Sequence, residues 1–200
     1  MTRSGSKFRW CLEKGKGKYH KGIKKVEPDE EESQKHIEKA LHNLKAMNHN
    51  LKGGFSDWAV NAGFYSMYHS FLAVLSKLGF ESRNQECTFT LIEHLIELGI
   101  LDIEKEDVSS VRNTGKQVKS DAKTLREDMQ YGTKTEIEGE IVRELEKTAK
   151  SITNKVRVAL KGLEGKKIVL AAEEKILADK PMKGQGKRKT VSLKKAEKGP

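Results

Sequence analysis

Apolar residues recur every three or four positions through the middle of the chain, which is typical of amphipathic helices. A first helix is predicted to begin at Pro28, ahead of four acidic residues that suit a helix N-terminus, and to end at Gly53-Gly54. The next segment, Phe55 to Gly79, is uncharged from Trp58 to Ser76, and its apolar residues fall on every side of a helical wheel. Such a helix is surrounded by others, so it is predicted to be the buried centre of a bundle.

This central helix is expected to be capped by Ser56 and to bury Trp58, Tyr65 and Leu72. Its 19 uncharged residues are long enough to cross a bilayer, so a membrane span is the alternative. Polar groups in lipid each cost several kcal/mol unless they are paired. We therefore favour a core helix over a membrane span, because the segment contains Asn61, Ser66, His69 and Ser70.

Three more helices are predicted. The third runs from about Gln85 to Leu98 and is stopped by Gly99. The fourth begins near a capping Asp102 and ends before Tyr131-Gly132. Its small and apolar residues form a narrow seam that would suit one neighbouring helix or a second copy of the chain: Val108, Val111, Gly115, Val118, Ala122, Leu125 and Met129.

The fifth helix is predicted to open with a capping box formed by Thr135 and Glu138. Its expected inner face consists of Ile137, Ile141, Leu145, Thr148, Ile152, Val156 and Leu163. The fold class is therefore all-α, an up-and-down bundle of about five helices. Residues 1–26 are expected to be a basic N-terminal segment and 27–163 the bundle, while 164–200 hold a weak helix and then a basic disordered tail.

The net charge of +10 is concentrated at the two ends of the chain. Residues 1–26 carry +8 and residues 183–200 carry +6, which leaves −4 for the remainder. Cationic arms on a mildly acidic domain favour polyanions through counterion release, and solubilising tails without a partner are the alternative. Met1 to Lys25 is mostly basic and polar, so we expect no apolar signal segment there, and Cys11 and Cys87 form no motif. We expect them to be free thiols in a reducing cytoplasm.

Common catalytic and metal-binding motifs are missing from the sequence. The six histidines form no HExxH motif, and the two cysteines are not at zinc-ligand spacing with them. The Gly15–Lys18 run is not a Walker loop, and there is no Gly-x-Ser-x-Gly motif. We predict no metal and no cofactor.

Several segments together resemble the HEPN domain family. Tyr65–His69, entered through Asp57–Ala59, is similar to the second helix of these domains. Arg83–Thr88 resembles the turn that opens the next helix, and Leu125–Gly132 resembles the Arg-containing motif that ends the fourth. The resemblance covers roughly Phe8 to Leu160. It implies a small helical bundle, which is often a dimer and often works with a nucleotidyltransferase.

Many HEPN domains are metal-independent ribonucleases with an Arg-x(4–6)-His motif, in which Arg stabilises phosphate charge and His transfers protons. This sequence departs from that motif. No histidine lies at that spacing after any arginine, and Gln130 or Tyr131 stands where the histidine after Arg126 would be. Gln does not titrate and Tyr titrates near pH ~10, so neither suits a general base at neutral pH.

The candidate site residues follow from the resemblance and from the charge distribution, and each has a structural alternative. Arg126 is a candidate for binding phosphate, or it pairs with a neighbouring acid. Tyr131 could stack on a base or anchor a helix end. His69 could face a pocket, and Asn84 could bind a ligand or start a helix. The tail contributes the basic cluster Lys187, Arg188 and Lys189.

We therefore expect a non-catalytic module in the cytoplasm that binds a nucleotide or nucleic acid. A homodimer and a nucleotidyltransferase partner of toxin–antitoxin or defence type are also expected. The alternatives are a degenerate ribonuclease that uses Arg126, and a structural bundle that binds only protein.

Overall fold

A computed structural model describes residues 3–17, 21–112 and 121–163, and within these ranges the chain forms seven helices and two short strands. The predicted all-α class is confirmed. An antiparallel pair of three-residue strands, Ile23–Lys25 and Phe80–Ser82, was not predicted from the sequence. In chain order the elements are α1 Arg3–Lys14, β1 Ile23–Lys25, α2 Glu30–Lys52, α3 Ser56–Lys77, β2 Phe80–Ser82, α4 Gln85–Glu97, α5 Lys105–Val111, α6 Ala122–Tyr131 and α7 Gly139–Gly162.

Helix α3 is the centre of the bundle, as predicted. It packs against α2, α6 and α7, and Val60, Phe64, Met67 and Phe71 are completely buried along it. Gly63 sits where α2 comes closest, because a Cβ atom there would lie 2.9 Å from the Met47 sulfur. The absence of a side chain at this position therefore allows α2 and α3 to pack closely.

The expected burial of Trp58 is wrong, since this side chain is 63% exposed. Tyr65 and Leu72 are half-buried, at the edge of the core. Trp58 lies in the first turn of α3, just past the point where α2 ends at Lys52. An all-round apolar pattern predicts burial along the middle of a helix, but it does not say where the neighbouring helices stop.

The residues that cap the N-termini of three helices differ from the predicted ones. Asp29, not Pro28, starts α2, because its side chain accepts a hydrogen bond from the Glu32 N–H at 2.8 Å. Ser56 does not cap α3. Its hydroxyl instead accepts from the Ile137 N–H at 3.2 Å and so holds the start of α3 against the segment before α7. The predicted Thr135–Glu138 capping box is also absent from α7, whose N-cap Glu138 makes no side-chain cap bond.

At two positions the buried residue on the inner face of α7 is the neighbour of the one that was predicted. Leu145, Ile152 and Val156 are buried as expected. Val142 and Ala149, however, replace the neighbouring Ile141 and Thr148, which are only half-buried. The error is a small rotation about the helix axis, which the sequence alone resolves poorly when apolar residues are adjacent.

The predicted fourth helix is two helices. Helix α5 ends at Val111 because Arg112 has an extended backbone, and α6 starts after Asp121, whose side chain accepts from the Thr124 N–H at 2.8 Å. Helix α5 is capped by Glu104 and Asp107 together, not by Asp102. Gly115 and Val118 of the predicted seam lie outside the described residues. Its members Val108, Val111 and Ala122 are buried within the chain's own core, so they are not available to a second copy.

The expectation of free cysteine thiols is wrong. Cys11 of α1 and Cys87 of α4 form a disulfide with a Cα–Cα distance of 5.6 Å, and both residues are fully buried. Phe8 packs beside them, stacked on the His94 ring at 5.2 Å. Helix α1 is thus joined to the bundle, although it lies in residues 1–26. The inference of a reducing compartment rested on free thiols, so it loses that support.

The described residues include no helix that combines the length and the apolar character needed to cross a membrane.

Candidate functional site

Arg126 and Tyr131, the two candidates from the sequence motif, lie together on α6. Arg126 is only 5% exposed, and its guanidinium carbon lies 5.2 Å from the centre of the Phe64 ring and 6.0 Å from that of Tyr131. Tyr131 is 76% exposed. A guanidinium between two aromatic rings is stabilised by cation–π attraction, so Arg126 supports the exposed Tyr131 ring from the protein side.

The hydrogen bonds of Arg126 also fix its neighbours. Nη1 donates to the Gln130 side-chain oxygen and Nη2 donates to a Glu127 carboxylate oxygen at 3.1 Å. Because an arginine can only donate, the Gln130 oxygen must face Arg126, and its NH2 group is left to bind elsewhere. Arg126 therefore acts on its surroundings mainly by positioning Gln130 and Tyr131.

A groove opens beside Gln130, where α2 ends, α3 begins and α6 ends. Its volume is about 360 Å³. The groove combines two aromatic side chains with three amides and one acid, and it is lined by Asn50, Asp57, Trp58, Asn61, Ala62, Tyr65, Met129 and Gln130. Two further exposed aromatic side chains lie close in sequence to groove residues. Phe55 is the N-cap of α3, and Tyr131 is the last residue of α6.

The polar groups of the groove are partly committed within the protein. The Asn61 side-chain NH2 donates to the Asp57 backbone carbonyl at 2.9 Å, so the Asn61 side-chain oxygen is left as an acceptor. The Gln130 amide offers donors, as described above. Aromatic faces beside amides of known orientation are well suited to a flat, hydrogen-bonding ligand.

An ion-pair network fixes α6, and with it the groove. Glu86 at the start of α4 accepts from Lys123 of α6 at 2.9 Å and from Arg112 at 2.8 Å, while Arg112 also binds both oxygens of Glu93. Burial alone would raise the pKa of Glu86. The hydrogen bonds and charges of Lys123 and Arg112 outweigh burial and keep that pKa below its usual value. The network thus ties α6 to α4 through partly buried charges.

His69 is paired with a second histidine. Its Nδ1 lies 3.1 Å from Nδ1 of His36 on α2, so one ring donates and the other accepts, which requires at least one neutral ring. Burial, followed by the charges of His36 and Lys39, lowers the pKa of His69 to about 4. Burial also lowers the pKa of His36, against the opposing effect of Glu32. The sequence did not predict this pair.

This histidine pair is expected to make the bundle less stable in mild acid. A lowered pKa in the folded state gives a contribution that is complete above the unfolded value of 6.5 and is lost as pH falls through about 4. Because both rings are only partly buried, we expect a loss of order 1 kcal/mol. Urea unfolding between these pH values measures it. His69→Gln should flatten the profile, whereas His42→Asn, at an exposed position, should not; equal profiles for His69→Gln and the wild type would contradict the assignment.

The remaining candidates lie elsewhere. Asn84 is the N-cap of α4, and its side chain accepts from the Cys87 N–H at 3.0 Å, which is a structural role. It lies beside the disulfide and not beside Arg126. Lys187, Arg188 and Lys189 lie outside the described residues.

Most residues of the groove were not predicted from the sequence to form a site. From the sequence, Asp57 was noted as part of the entry to the central helix and Trp58 was expected to be buried, while Asn50 and Asn61 were not candidates. The signal that could have found Trp58 is its position four residues after the Gly53-Gly54 turn, where a helix end is exposed.

The comparison with known families agrees with the helical architecture. A family model described as the HEPN domain matches residues 33–159, well over half of the chain. The match extends from the first turn of α2 to the last turn of α7, and it does not include α1 or β1. No curated protein matches the sequence.

Proposed function

This chain belongs to the HEPN domain family, and on that premise we propose that it binds a nucleotide or nucleic acid without cleaving it. The family is linked to nucleotide or RNA binding and to ribonuclease activity. The observation that carries the proposal is the groove at the start of α3, where Trp58 and Tyr65 stand beside amides that can read a base edge. Base-on-aromatic stacking is a general way to bind unpaired bases.

The absence of cleavage is supported by the surroundings of Arg126. Its guanidinium lies under Tyr131 and is bonded to Gln130 and Glu127, so it is poorly placed to reach a phosphate. The sequence has no histidine after His94, and the two described histidines that meet each other, His36 and His69, form their own pair. Metal-independent cleavage of RNA that is abolished by Arg126→Ala would instead favour the ribonuclease alternative.

Affinity for the phosphate backbone is proposed to come from the two basic ends. The groove itself offers no cationic side chain among the described residues that line it, whereas residues 1–26 carry +8 and residues 183–200 carry +6. A binding mode that divides base contacts from phosphate contacts is common in proteins that bind single strands.

Deleting residues 183–200 is therefore expected to weaken the salt dependence of binding. For single strands each neutralised phosphate contributes about 0.7 to the slope of log affinity against log salt, so the slope should fall by about 0.7 for every phosphate that the tail neutralises. Fluorescence anisotropy with a labelled single-stranded RNA at several salt concentrations measures the slope. A scrambled tail of the same composition is the control and should keep the original slope. Binding that is independent of salt, or no binding to any RNA or DNA, would refute the proposal.

A homodimer and a nucleotidyltransferase partner are proposed on the resemblance to paired HEPN systems of toxin–antitoxin or defence type. The buried seam residues Val108, Val111 and Ala122 do not supply the dimer contact. Val158 on α7 is 69% exposed and is one of the apolar side chains that could take part in a dimer contact.

A further inference from the structure

The groove has the wrong charge for a phosphate. Of the described residues that line the groove, Asp57 alone carries a charge, and its negative carboxylate repels an anion. The aromatic side chains of Trp58 and Tyr65 favour a flat ring instead. The part of a nucleotide that suits this groove is therefore its base, with the phosphate directed away from Asp57.

The hydrogen-bonding groups narrow the choice of base. A carboxylate accepts and does not donate, so Asp57 favours an edge that carries N–H groups. Gln130 has its NH2 donors to offer a ligand in the groove, because its oxygen is held by Arg126. The ligand edge should thus carry adjacent donors for Asp57 and an acceptor for the Gln130 NH2 group.

We propose that the groove holds one unstacked guanine, an assignment that rests on the proposed nucleotide or nucleic-acid binding. Guanine carries the adjacent N1–H and N2–H donors that match two carboxylate oxygens, and its O6 and N7 accept from an amide. Adenine and cytosine place a ring-nitrogen acceptor beside their amino group, and uracil flanks its single N–H with two carbonyl oxygens. Each of these edges would set an acceptor against the Asp57 carboxylate.

Arg126 gains a positioning role in this arrangement. It fixes the orientation of the Gln130 amide and does not touch the base. This role explains a buried arginine at the family's motif position without requiring it to act on a phosphate.

The test uses the full chain with Trp10→Phe, because the sequence has two tryptophans and this change leaves Trp58 as the only one. Its fluorescence is titrated with GMP, AMP, CMP and UMP, and with two oligoadenylates that differ by one central guanine. Guanine is expected to bind tightest in both sets. Stronger binding of GMP than of the guanine-containing strand indicates a free nucleotide as the source, and the reverse indicates a single strand.

Asp57→Asn should weaken guanine binding by about 5- to 150-fold and should not weaken AMP binding, because the Asn amide carries no negative charge and can donate to the adenine ring nitrogen. Gln130→Glu, which keeps an oxygen for Arg126 but removes the amide donors, should also weaken guanine binding. Asp102→Asn, at an exposed acid between α4 and α5, is the matched control and should change nothing. Circular dichroism and thermal unfolding verify that each variant is folded.

Equal affinity for the four bases, or folded Asp57→Asn and Gln130→Glu variants that still prefer guanine, would overturn the guanine assignment. If the chain nevertheless binds RNA with the expected salt dependence, the proposed function stands and only the base assignment fails. If no nucleotide or strand binds at all, the proposed function fails as well.

Discussion

Loss of the Cys11–Cys87 disulfide is expected to lower the free energy of unfolding by roughly 4 kcal/mol. The two cysteines are separated by 76 residues, and the cross-link restricts the unfolded chain over that whole distance. The disulfide also fastens α1, whose Phe8 side chain is buried against the bundle. Urea unfolding of the oxidised protein, compared with Cys11→Ala/Cys87→Ala and with the wild type in dithiothreitol, measures the effect.

The double variant serves as the control for the reductant. Dithiothreitol should lower the stability of the wild type and leave Cys11→Ala/Cys87→Ala unchanged, because only the wild type has a bond to break. Two titratable thiols in the unreduced, denatured protein would contradict the disulfide directly, and so would equal unfolding midpoints with and without reductant.

Truncation of Trp58 is expected to have the largest effect on binding. Stacking of a base on an aromatic ring contributes about 1–3 kcal/mol by alanine substitution, so Trp58→Ala should weaken binding of a single-stranded RNA by about 5- to 150-fold. The protein should stay folded, because the side chain is 63% exposed and makes little of the core. Anisotropy of a labelled RNA at fixed salt measures the affinity.

Trp10→Ala is the matched control for this experiment. Trp10 is also exposed, at 52%, but the Lys14 ammonium lies 5.6 Å from the centre of its ring and covers a face that a base would need. We expect this variant to bind within the error of the wild type. Equal reductions in affinity for the two variants would show that aromatic residues act non-specifically, and unchanged affinity for Trp58→Ala would remove the groove from the binding site.

The middle of the bundle could be predicted from the sequence because local pattern and tertiary burial agree there. The uncharged run that contains Phe64 and Phe71 has no charged face, so any fold must cover it, and most side chains along the middle of α3 are indeed buried. The ends of helices depend on their neighbours instead. Trp58 is exposed because α2 stops beside it, and Ser56 bonds to a residue 81 positions away and not to its own helix.

The division of the predicted fourth helix into α5 and α6 also could not be predicted from the sequence. The regular spacing from Val108 to Met129 favours one long helix, but the Arg112 guanidinium pairs with Glu86 and Glu93 of α4, and its backbone is extended. Ion pairs between distant segments can override the local preference for a helix, and the spacing of apolar residues does not reveal them. The pairing of Cys11 with Cys87 is hidden for the same reason, because α1 reaches α4 only in the fold.

Only part of the candidate site could be predicted from the sequence. Arg126 and Tyr131 stand out through a local motif on one helix. The groove beside them also needs the end of α2 and the start of α3, so Trp58 and Asp57 join the site only through packing of three helix ends. Residues that act together but come from distant segments cannot be grouped by spacing.

The central claim is that unpaired bases contact the groove at the start of α3 and the end of α6. Ultraviolet cross-linking of the full chain to a single-stranded RNA, followed by mass spectrometry of the peptides, tests it most directly. We expect cross-linked peptides that contain Trp58 or Tyr131, with smaller amounts from the basic ends. Cross-links confined to residues 1–26 and 183–200, with none at the groove, would contradict the claim.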